Sequence, residues 1–207
     1  MSDDLVFYSH PQSRGRIARW MLEEVGRPYR TELRDYGANL KSPDYLAINP
    51  MGKVPAIVHG GVVVTECAAI CAYLADTFPD AGLAPPLEAR GLYYRWLFFA
   101  AGPLEAAIVN RRLGVEVPGE QERMVGYGRF EHVMDTLAQA VTAHDYIAGE
   151  SFTAADVYVG AHIGWGLQFG SIEARPGFAD YFARVSDRDA FRRAGQLDDE
   201  LAERVSA

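Results

Sequence analysis

The chain has 207 residues, of which 49% are hydrophobic and 23% charged, a balance typical of a folded globular protein and not of a disordered one. Its formal net charge of -8 argues against nucleic acids and anionic membranes as partners, because both repel an acidic surface. Residues 1–20 lack the pattern of a signal peptide, and no apolar run approaches the ~18 residues of a membrane span. The two cysteines, Cys67 and Cys71, are spaced poorly for a disulfide bond. We therefore expect a reduced, cytoplasmic protein.

Up to about Phe78 the sequence alternates segments typical of strands with segments typical of helices. Two glycines, Gly60 and Gly61, join two β-branched runs and form the strongest hairpin signal in the chain. The predicted elements are, in order, a strand over Leu5–Tyr8, a helix over Ser13–Val25, a strand over Tyr29–Leu33, hairpin strands over Ala56–His59 and Val62–Thr65, and a helix from Thr65 to Phe78. A parallel pair followed by an antiparallel hairpin and a closing helix is the thioredoxin-like arrangement.

Beyond this part the sequence reads as helix almost throughout. Gly82, Pro85 and Pro86 mark a linker. The predicted helices are Leu87–Leu113 with a bend at Gly102-Pro103, Gly119–Ala143, Thr153–Phe169, Gly177–Val185 and Ala190–Arg204. We therefore expect an α/β domain of thioredoxin type over residues 1–80, a linker over residues 81–86, and an all-helical domain over residues 87–207.

Val54-Pro55 stands directly before the first hairpin strand. Proline at a strand entrance donates no ladder hydrogen bond, and an ordinary strand-entry proline is the interpretation favoured on this residue alone. The alternative is a cis peptide bond that turns the Val54 backbone outward, leaving its N–H and C=O groups for an extended peptide ligand.

Thr65-Glu66-Cys67 begins the helix that follows the hairpin. Backbone N–H groups at a helix start attract a carboxylate, and Glu66 accepts from an ammonium group, so an α-amino acid fits this corner. The simpler alternative is that Thr65 is only an N-cap and that Glu66 only complements the helix dipole.

Two further motifs lie at predicted helix starts. Ser13 directly precedes the first helix, where a serine serves as N-cap and where its hydroxyl lies at the positive end of the helix dipole. Thr153-Ala154-Ala155-Asp156 is a capping box before an apolar run. We interpret Thr153 and Asp156 as structural, so that loss of Asp156 harms folding rather than chemistry.

Four motifs in this order together carry a family resemblance. They are Ser13-Arg14-Gly15-Arg16 running into Trp20-Met21-Leu22-Glu23-Glu24, Asn49-Pro50-Met51-Gly52-Lys53-Val54-Pro55, Thr65-Glu66-Cys67-Ala68-Ala69-Ile70, and Thr153-Ala154-Ala155-Asp156. Over essentially its whole length the chain resembles the cytosolic glutathione transferases, and Ser13 is similar to the serine of the serine-type, bacterial-like members.

The resemblance implies glutathione as co-substrate, no metal, and a homodimer. It assigns the Val54 backbone, beside Pro55, to the cysteinyl part of glutathione, and Glu66 with Cys67 to the γ-glutamyl end. Lys53, with Lys41 as the second candidate, would face the glycyl carboxylate. Cys67 departs from the serine that the family usually has, and a thiol is the weaker hydrogen-bond donor.

The resemblance also implies a hydroxyl that activates the glutathione thiol. Ser13 is the favoured residue, Tyr8 at the end of the first strand is the rival, and Ser9 is a weaker third. The pocket for a second substrate would draw on the helical half, and its candidate residues are Trp96, Phe99, Arg111 and Trp165.

Two classes of function follow. In the first, a transferase of detoxification type directs the thiolate at a small hydrophobic electrophile, with reduction, isomerisation or dehalogenation as related reactions. In the second, the fold is a non-catalytic binding or scaffold protein, which the substitution at Cys67 favours. The presence of Lys53, Val54, Pro55 and Glu66 argues for the enzyme.

Overall fold

The computed structural model of the protein describes residues 4–37 and 39–206. The described residues divide into two units. The first holds the chain up to Leu83 together with the segment from Arg188 on, and the second is Ala84–Asp187.

A four-stranded sheet lies in the described part of the first unit, with strand order β2-β1-β3-β4. Strand β1 pairs with β2 in parallel and with β3 antiparallel, and β3 pairs with β4 antiparallel. Gly60 and Gly61 connect β3 to β4 with φ of 56° and 88°, the positive values that a two-residue hairpin turn requires. The strands are β1 Leu5–Ser9, β2 Arg30–Leu33, β3 Ala56–His59 and β4 Val62–Thr65. The predicted thioredoxin-like arrangement is confirmed.

Helices make up most of the remaining described chain. In chain order they are α1 Gly15–Val25, α2 Pro43–Leu46, α3 Cys67–Thr77, α4 Arg90–Phe99, α5 Glu105–Arg112, α6 Phe130–Ala143, α7 Ala154–Gln168, α8 Phe178–Ser186 and α9 Asp189–Ser206. Helices α1 and α3 pack against each other and against the sheet. The core of this layer is apolar because both helices bury one face, as Ile17, Met21, Ile70 and Leu74 show.

Helix α9 packs along α1 in the first unit. Trp20 on α1 meets Phe191 edge to face at 4.8 Å. The Arg19 guanidinium donates through Nε to Asp198 Oδ1 at 2.7 Å, and both side chains are buried. The division predicted from the sequence assigned this segment to the helical half, whereas these contacts group it with the sheet. Apolar burial and ion pairing with α1 are the physical reason for the difference.

The second unit differs from the sequence expectation at two helix boundaries. One turn of π-helix, Ala100–Leu104, contains Pro103 and joins α4 to α5, so the predicted bend is a local change of hydrogen bonding. The helix expected from Gly119 begins only at Phe130; residues 119–124 form a 3₁₀-helix. Gly128 has a left-handed backbone, with φ of 65°, which interrupts any regular helix before that point.

Thr153 and Asp156 cap the start of α7 reciprocally. Asp156 Oδ2 accepts from the Thr153 N–H at 2.8 Å, while Oδ1 accepts from the Ile147 N–H at 2.7 Å and from the Tyr181 hydroxyl at 2.8 Å. Burial raises the pKa of Asp156, and the hydrogen bonds oppose that rise. This one carboxyl therefore joins the preceding loop, α7 and α8.

Among the helices described, none is both long and apolar enough to cross a bilayer.

Candidate active site

The sheet register brings three chain segments to one edge. Tyr8 pairs with Ala56, and Ala56 pairs with Thr65. Val54-Pro55 directly precedes Ala56, and Glu66-Cys67 directly follows Thr65. The end of β1, the entrance to β3 and the start of α3 therefore lie side by side.

The Val54–Pro55 peptide bond is cis, so the ordinary strand-entry proline favoured on that residue alone is wrong. Neither the N–H nor the C=O of Val54 makes a hydrogen bond within the described chain. The neighbouring Lys53 carbonyl, in contrast, accepts from the Tyr45 hydroxyl at 2.7 Å and from Asn49 Nδ2 at 2.8 Å. Burial raises the pKa of Tyr45 to about 12, so this hydroxyl stays a donor. The Lys53 carbonyl is thus fixed by two donors, whereas the Val54 N–H and C=O groups remain available for hydrogen bonding.

The two candidate lysines differ in what they contact. Lys41 Nζ donates to the Met51 carbonyl at 2.8 Å and to the Gly52 carbonyl at 3.3 Å, so its charge holds the loop before Val54. Lys53 is exposed, and its ammonium group has no partner within the described chain. Of the two, Lys53 is the one placed to meet a ligand carboxylate.

Glu66 has a backbone conformation that side chains rarely adopt, with φ of 65° and ψ of 117°. It is the N-cap residue of α3 and makes no side-chain cap hydrogen bond, whereas Thr65, the N-cap expected in the simpler alternative, is the last residue of β4. Such a conformation costs on the order of 1–3 kcal/mol and is found preferentially at functional sites. Its exposed carboxylate lies beside a helix N-terminus whose first turn carries no acidic residue.

Cys67 is buried, and its thiol points back to the start of α1, with Sγ 3.6 Å from the Arg14 carbonyl oxygen. This contact brings the start of α3 next to the start of α1. Since the thiol proton is directed at a backbone carbonyl, the backbone N–H of residue 67 is the group suited to a ligand. Cys71 is also buried, and no disulfide joins the two cysteines.

Ser13 lies in the loop that enters α1. Its Oγ accepts from the Gly15 N–H at 2.9 Å and donates to the His10 carbonyl at 2.6 Å. Arg14, not Ser13, is the N-cap residue, but the hydroxyl still satisfies an N–H group at the positive end of the helix. A Cβ at Gly15 would lie 2.0 Å from Ser9 Oγ and 2.9 Å from Ser13 Oγ, so only glycine fits between these two hydroxyls.

Tyr8 and Ser9 occupy opposite faces of the sheet because side chains alternate along a strand. The Tyr8 ring packs at 5.6 Å from Tyr45 and at 5.3 Å from the Arg34 guanidinium, and its hydroxyl makes no hydrogen bond within the described residues. Ser9 is 0% exposed, and among the described residues its hydroxyl reaches only the His10 carbonyl, at 3.5 Å. Burial disfavours Ser9 as a donor to a bound ligand.

The second-substrate candidates lie on the helices of the second unit. Trp96 is buried and meets the half-buried Phe99 edge to face at 5.2 Å, and Trp165 on α7 is half-buried. Arg111 Nη2 forms an ion pair with Glu173 at 2.7 Å, and this hydrogen bond lowers the pKa of Glu173. The structure thus brings Trp96 and Phe99 into contact, whereas Arg111 is paired with Glu173.

The sequence alone did not indicate the residues that fix the loop backbones around the candidate site. Tyr45 and Asn49 fix the Lys53 carbonyl, and Arg16 donates through Nε to the Pro11 carbonyl at 2.6 Å. Asn49 stands inside a quoted motif, which was a usable signal. Arg16 also stands inside one of these motifs, but its contact could not be predicted, because its acidic partner Asp199 is 183 positions away.

Several known proteins resemble this chain in sequence. The family model described as "Glutathione S-transferase, N-terminal domain" matches residues 14–77. Glutathione S-transferase GstA of Escherichia coli O157:H7 is 30% identical over 149 residues, which cover 70% of this chain and 73% of that protein. Glutathione S-transferase GST-4.5 of Xanthomonas campestris pv. campestris is 31% identical over 162 residues, which cover 74% and 76%.

Solved structures show the same likeness along almost the whole chain. A glutathione transferase from Methylococcus capsulatus superposes with a TM-score of 0.76 at 25% identity, covering 94% of this chain and 98% of that one. A sphingomonad glutathione S-transferase complexed with glutathione has a TM-score of 0.73 at 26% identity, covering 93% and 98%.

Proposed function

The chain belongs to the cytosolic glutathione S-transferase family, and we propose that it binds glutathione in the first unit and activates the thiol from the start of α1. Its activity is that of a glutathione transferase, with glutathione as co-substrate. The proposed site rests on two features that lie next to each other in the sheet. The Val54 backbone has no partner within the described chain, and it lies at the same sheet edge as the positive-φ Glu66.

The peptide part of glutathione fits this edge group by group. The cysteinyl residue pairs with the Val54 N–H and C=O, as one strand pairs with another. The γ-glutamyl ammonium meets the Glu66 carboxylate, and its carboxylate meets the N–H groups at the start of α3. Lys53 receives the glycyl carboxylate, and Lys41 supports it by holding the loop.

Activation of the glutathione thiol requires that the protein lower its pKa. A free thiol has a pKa of about 8.5, so only a few per cent is thiolate at neutral pH. Lowering the pKa by ~2 units requires about 2.7 kcal/mol in favour of the anion. One hydrogen bond from the Ser13 hydroxyl, added to the positive end of α1, is of that size.

The experiment compares Ser13→Ala with Tyr8→Phe in the conjugation of glutathione to an aryl halide. Ser13→Ala should lower kcat by about 10²-fold, the usual effect of removing one donor to a reacting anion, and should remove the thiolate absorbance of bound glutathione. Ser13→Thr keeps a hydroxyl and controls for the lost contact with Gly15. Retention of both signals in Ser13→Ala, with their loss in Tyr8→Phe, would transfer the role to Tyr8.

A non-catalytic glutathione-binding protein is the second candidate, and Cys67 is the observation that favours it. Its thiol is directed at the Arg14 carbonyl, so one side-chain donor expected in the γ-glutamyl corner is missing. Retention on immobilised glutathione without turnover of any electrophile tested would support this second function.

The remaining parts of the proposal concern partners and location. The second substrate is a small hydrophobic electrophile that contacts Trp96, Phe99 and Trp165, with Arg111 at a polar side. The chain forms a homodimer, as family members do, and acts in the cytoplasm, where cysteines such as the buried Cys67 and Cys71 stay reduced.

A further inference from the structure

We propose that Arg16 and Asp199 act as a positioning pair that holds the loop carrying Ser13. The inference rests on the proposed role of Ser13. It gives a role to Arg16, which stands in the first motif without an assigned function, and to Asp199, which lies outside all four motifs. Asp199 lies on the C-terminal helix, so the proposal makes α9 a part of the apparatus that activates the thiol.

Four successive carbonyl groups in the loop before α1 each accept a hydrogen bond. The His10 carbonyl accepts from the Ser13 hydroxyl at 2.6 Å, and the Pro11 carbonyl accepts from Arg16 Nε at 2.6 Å. The Gln12 carbonyl accepts from the Tyr36 hydroxyl at 2.9 Å. The Ser13 carbonyl accepts from the Arg16 N–H at 3.2 Å. The loop conformation is therefore specified carbonyl by carbonyl.

Arg16 connects this loop to α9. While its Nε binds the Pro11 carbonyl, its Nη2 forms an ion pair with Asp199 Oδ1 at 2.6 Å. A guanidinium group is planar, so fixing Nη2 also fixes the direction in which Nε points. Asp199 thereby orients the donor that holds Pro11, two residues before Ser13.

The two neighbouring aspartates on α9 form ion pairs of different kinds. Asp198 pairs with Arg19 in the buried interface between the helices, whereas the Asp199 and Arg16 side chains are 69% and 30% exposed. An ion pair exposed to this degree contributes little to stability. The Arg16–Asp199 pair differs from the Arg19–Asp198 pair in one respect. Arg16 also contacts the loop that carries Ser13, whereas Arg19 does not.

The Ser13 hydroxyl has a single proton, and in the structure that proton points at the His10 carbonyl. To donate to a glutathione sulfur, the hydroxyl must rotate while its oxygen keeps the Gly15 N–H. That rotation favours the thiolate only where the loop backbone stays in place. The Arg16–Asp199 pair supplies this restraint from outside the loop.

The test uses Arg16→Gln, Asp199→Asn and the double variant in the full chain. The matched control is Arg188→Gln, which breaks the ion pair between Arg188 and Glu24 at the opposite end of α1, with N–O distances of 2.7 Å. Four quantities are measured in each variant. They are kcat for the conjugation of glutathione to an aryl halide, the pKa of the bound glutathione thiol from its thiolate absorbance, the dissociation constant of glutathione, and the exchange rates of the Gln12 and Gly15 amide hydrogens.

We expect Arg16→Gln to lower the thiolate-dependent kcat and to speed the Gln12 and Gly15 exchange by about tenfold, the effect of one lost hydrogen bond from a charged group. The thiol pKa should rise, and the dissociation constant of glutathione should change by less than about twofold, since the peptide-binding groups are untouched. Asp199→Asn should show a smaller effect in the same direction. The double variant should match Arg16→Gln, because Asp199 acts through Arg16.

Unchanged exchange and an unchanged thiol pKa in Arg16→Gln would overturn the proposal, as would equal changes in the Arg188→Gln control. Failure of the underlying function looks different. If Ser13→Ala left the thiol pKa unchanged, Ser13 would not be the activating residue, and positioning for thiol activation would be overturned even with faster exchange in Arg16→Gln.

Discussion

At the residue scale, Glu66 combines a strained backbone with an exposed carboxylate. Replacing it with glycine removes the side chain and relieves the positive φ of 65°. Glu66→Gly should therefore leave the free energy of unfolding unchanged or raise it by up to about 1 kcal/mol, while glutathione binding weakens. Urea unfolding and glutathione titration give the two quantities.

Glu66→Gln is the matched control, because it keeps the strained backbone and removes only the charge. It should weaken glutathione binding without raising stability. A lower free energy of unfolding in Glu66→Gly would show that the positive φ at residue 66 does not destabilise the folded chain.

Cys67 permits a gain-of-affinity experiment. Cys67→Ser introduces a hydroxyl at the γ-glutamyl corner, where the thiol now points at the Arg14 carbonyl. One additional neutral hydrogen bond of about 0.5–1.5 kcal/mol predicts glutathione binding tighter by roughly two- to tenfold. Cys71→Ala, at a buried position one turn further along α3, should leave the affinity unchanged. Equal or weaker binding in Cys67→Ser contradicts the assignment of this corner.

At the element scale, the start of α7 depends on one buried carboxyl. Asp156→Ala leaves the Ile147 N–H and the Tyr181 hydroxyl without their acceptor. Each buried donor left without a partner costs about 1–3 kcal/mol, so stability should fall by about 3 kcal/mol or more. Denaturant unfolding measures the loss. Thr153→Ser keeps the capping oxygen and should cost less than about 1 kcal/mol.

The α1–α9 interface should make stability depend on pH through Asp198. Burial raises the pKa of Asp198 above its ordinary value of 3.8, and the charge of Arg19 opposes the rise. Between the ordinary and the raised pKa the folded chain holds the proton more tightly than the unfolded chain. The contribution of Asp198 to the free energy of unfolding therefore falls as pH rises through that window.

Comparing the wild type with Asp198→Asn isolates this contribution, because other titrating groups cancel. The difference in unfolding free energy, wild type minus variant, should decrease as pH rises from just above 3.8. A difference that increases with pH would mean that Arg19 outweighs burial and that the pKa is lowered.

Local patterns were enough to predict the strands and most helices of the first unit. The hairpin followed from Gly60-Gly61 between two β-branched runs, and it forms with the predicted bounds. The start of α6 did not follow, because residues 119–128 combine good helix formers with glycines whose backbone conformation only the folded chain reveals. Helical periodicity reports an apolar face and says little about where a 3₁₀-helix replaces an α-helix.

The candidate site was predictable only in part. Val54, Glu66 and Ser13 stand in short motifs, so their types and spacing point to them. The contacts of Arg16 with Asp199 and of Cys67 with Arg14 cross 183 and 53 positions. No local pattern encodes such contacts, since they arise from the packing of α1 against α9 and α3.

At the scale of the whole molecule, the proposed homodimer requires an apolar surface that a second copy covers. On α4, Tyr94 and Phe98 stand one turn apart and are 40% and 72% exposed, so they form adjacent exposed aromatic surface on one helix. We predict a dimer by sedimentation velocity and a dissociation constant raised by about tenfold or more in Phe98→Glu, because burying a phenylalanine contributes about 1.5–3 kcal/mol.

Phe169→Glu is the matched control for this experiment, since Phe169 is 73% exposed and follows α7 rather than lying on α4. It should leave the dimer intact. A wild-type chain that sediments as a monomer at working concentration would contradict the proposed assembly, and equal weakening by both variants would contradict the choice of α4.

The first unit is discontinuous along the chain, since it ends at Leu83 and resumes at Arg188. A ribosome makes a chain from its N-terminus, so the strands and α1 leave the exit tunnel well before their partner helix exists. Until α9 arrives, Trp20 and Arg19 present to water the surfaces that they later bury. The intervening Ala84–Asp187 unit is complete earlier than the unit that encloses it in sequence. A premature stop codon just before Arg188 would therefore damage the unit proposed to bind glutathione, although every residue proposed to touch glutathione had already been translated.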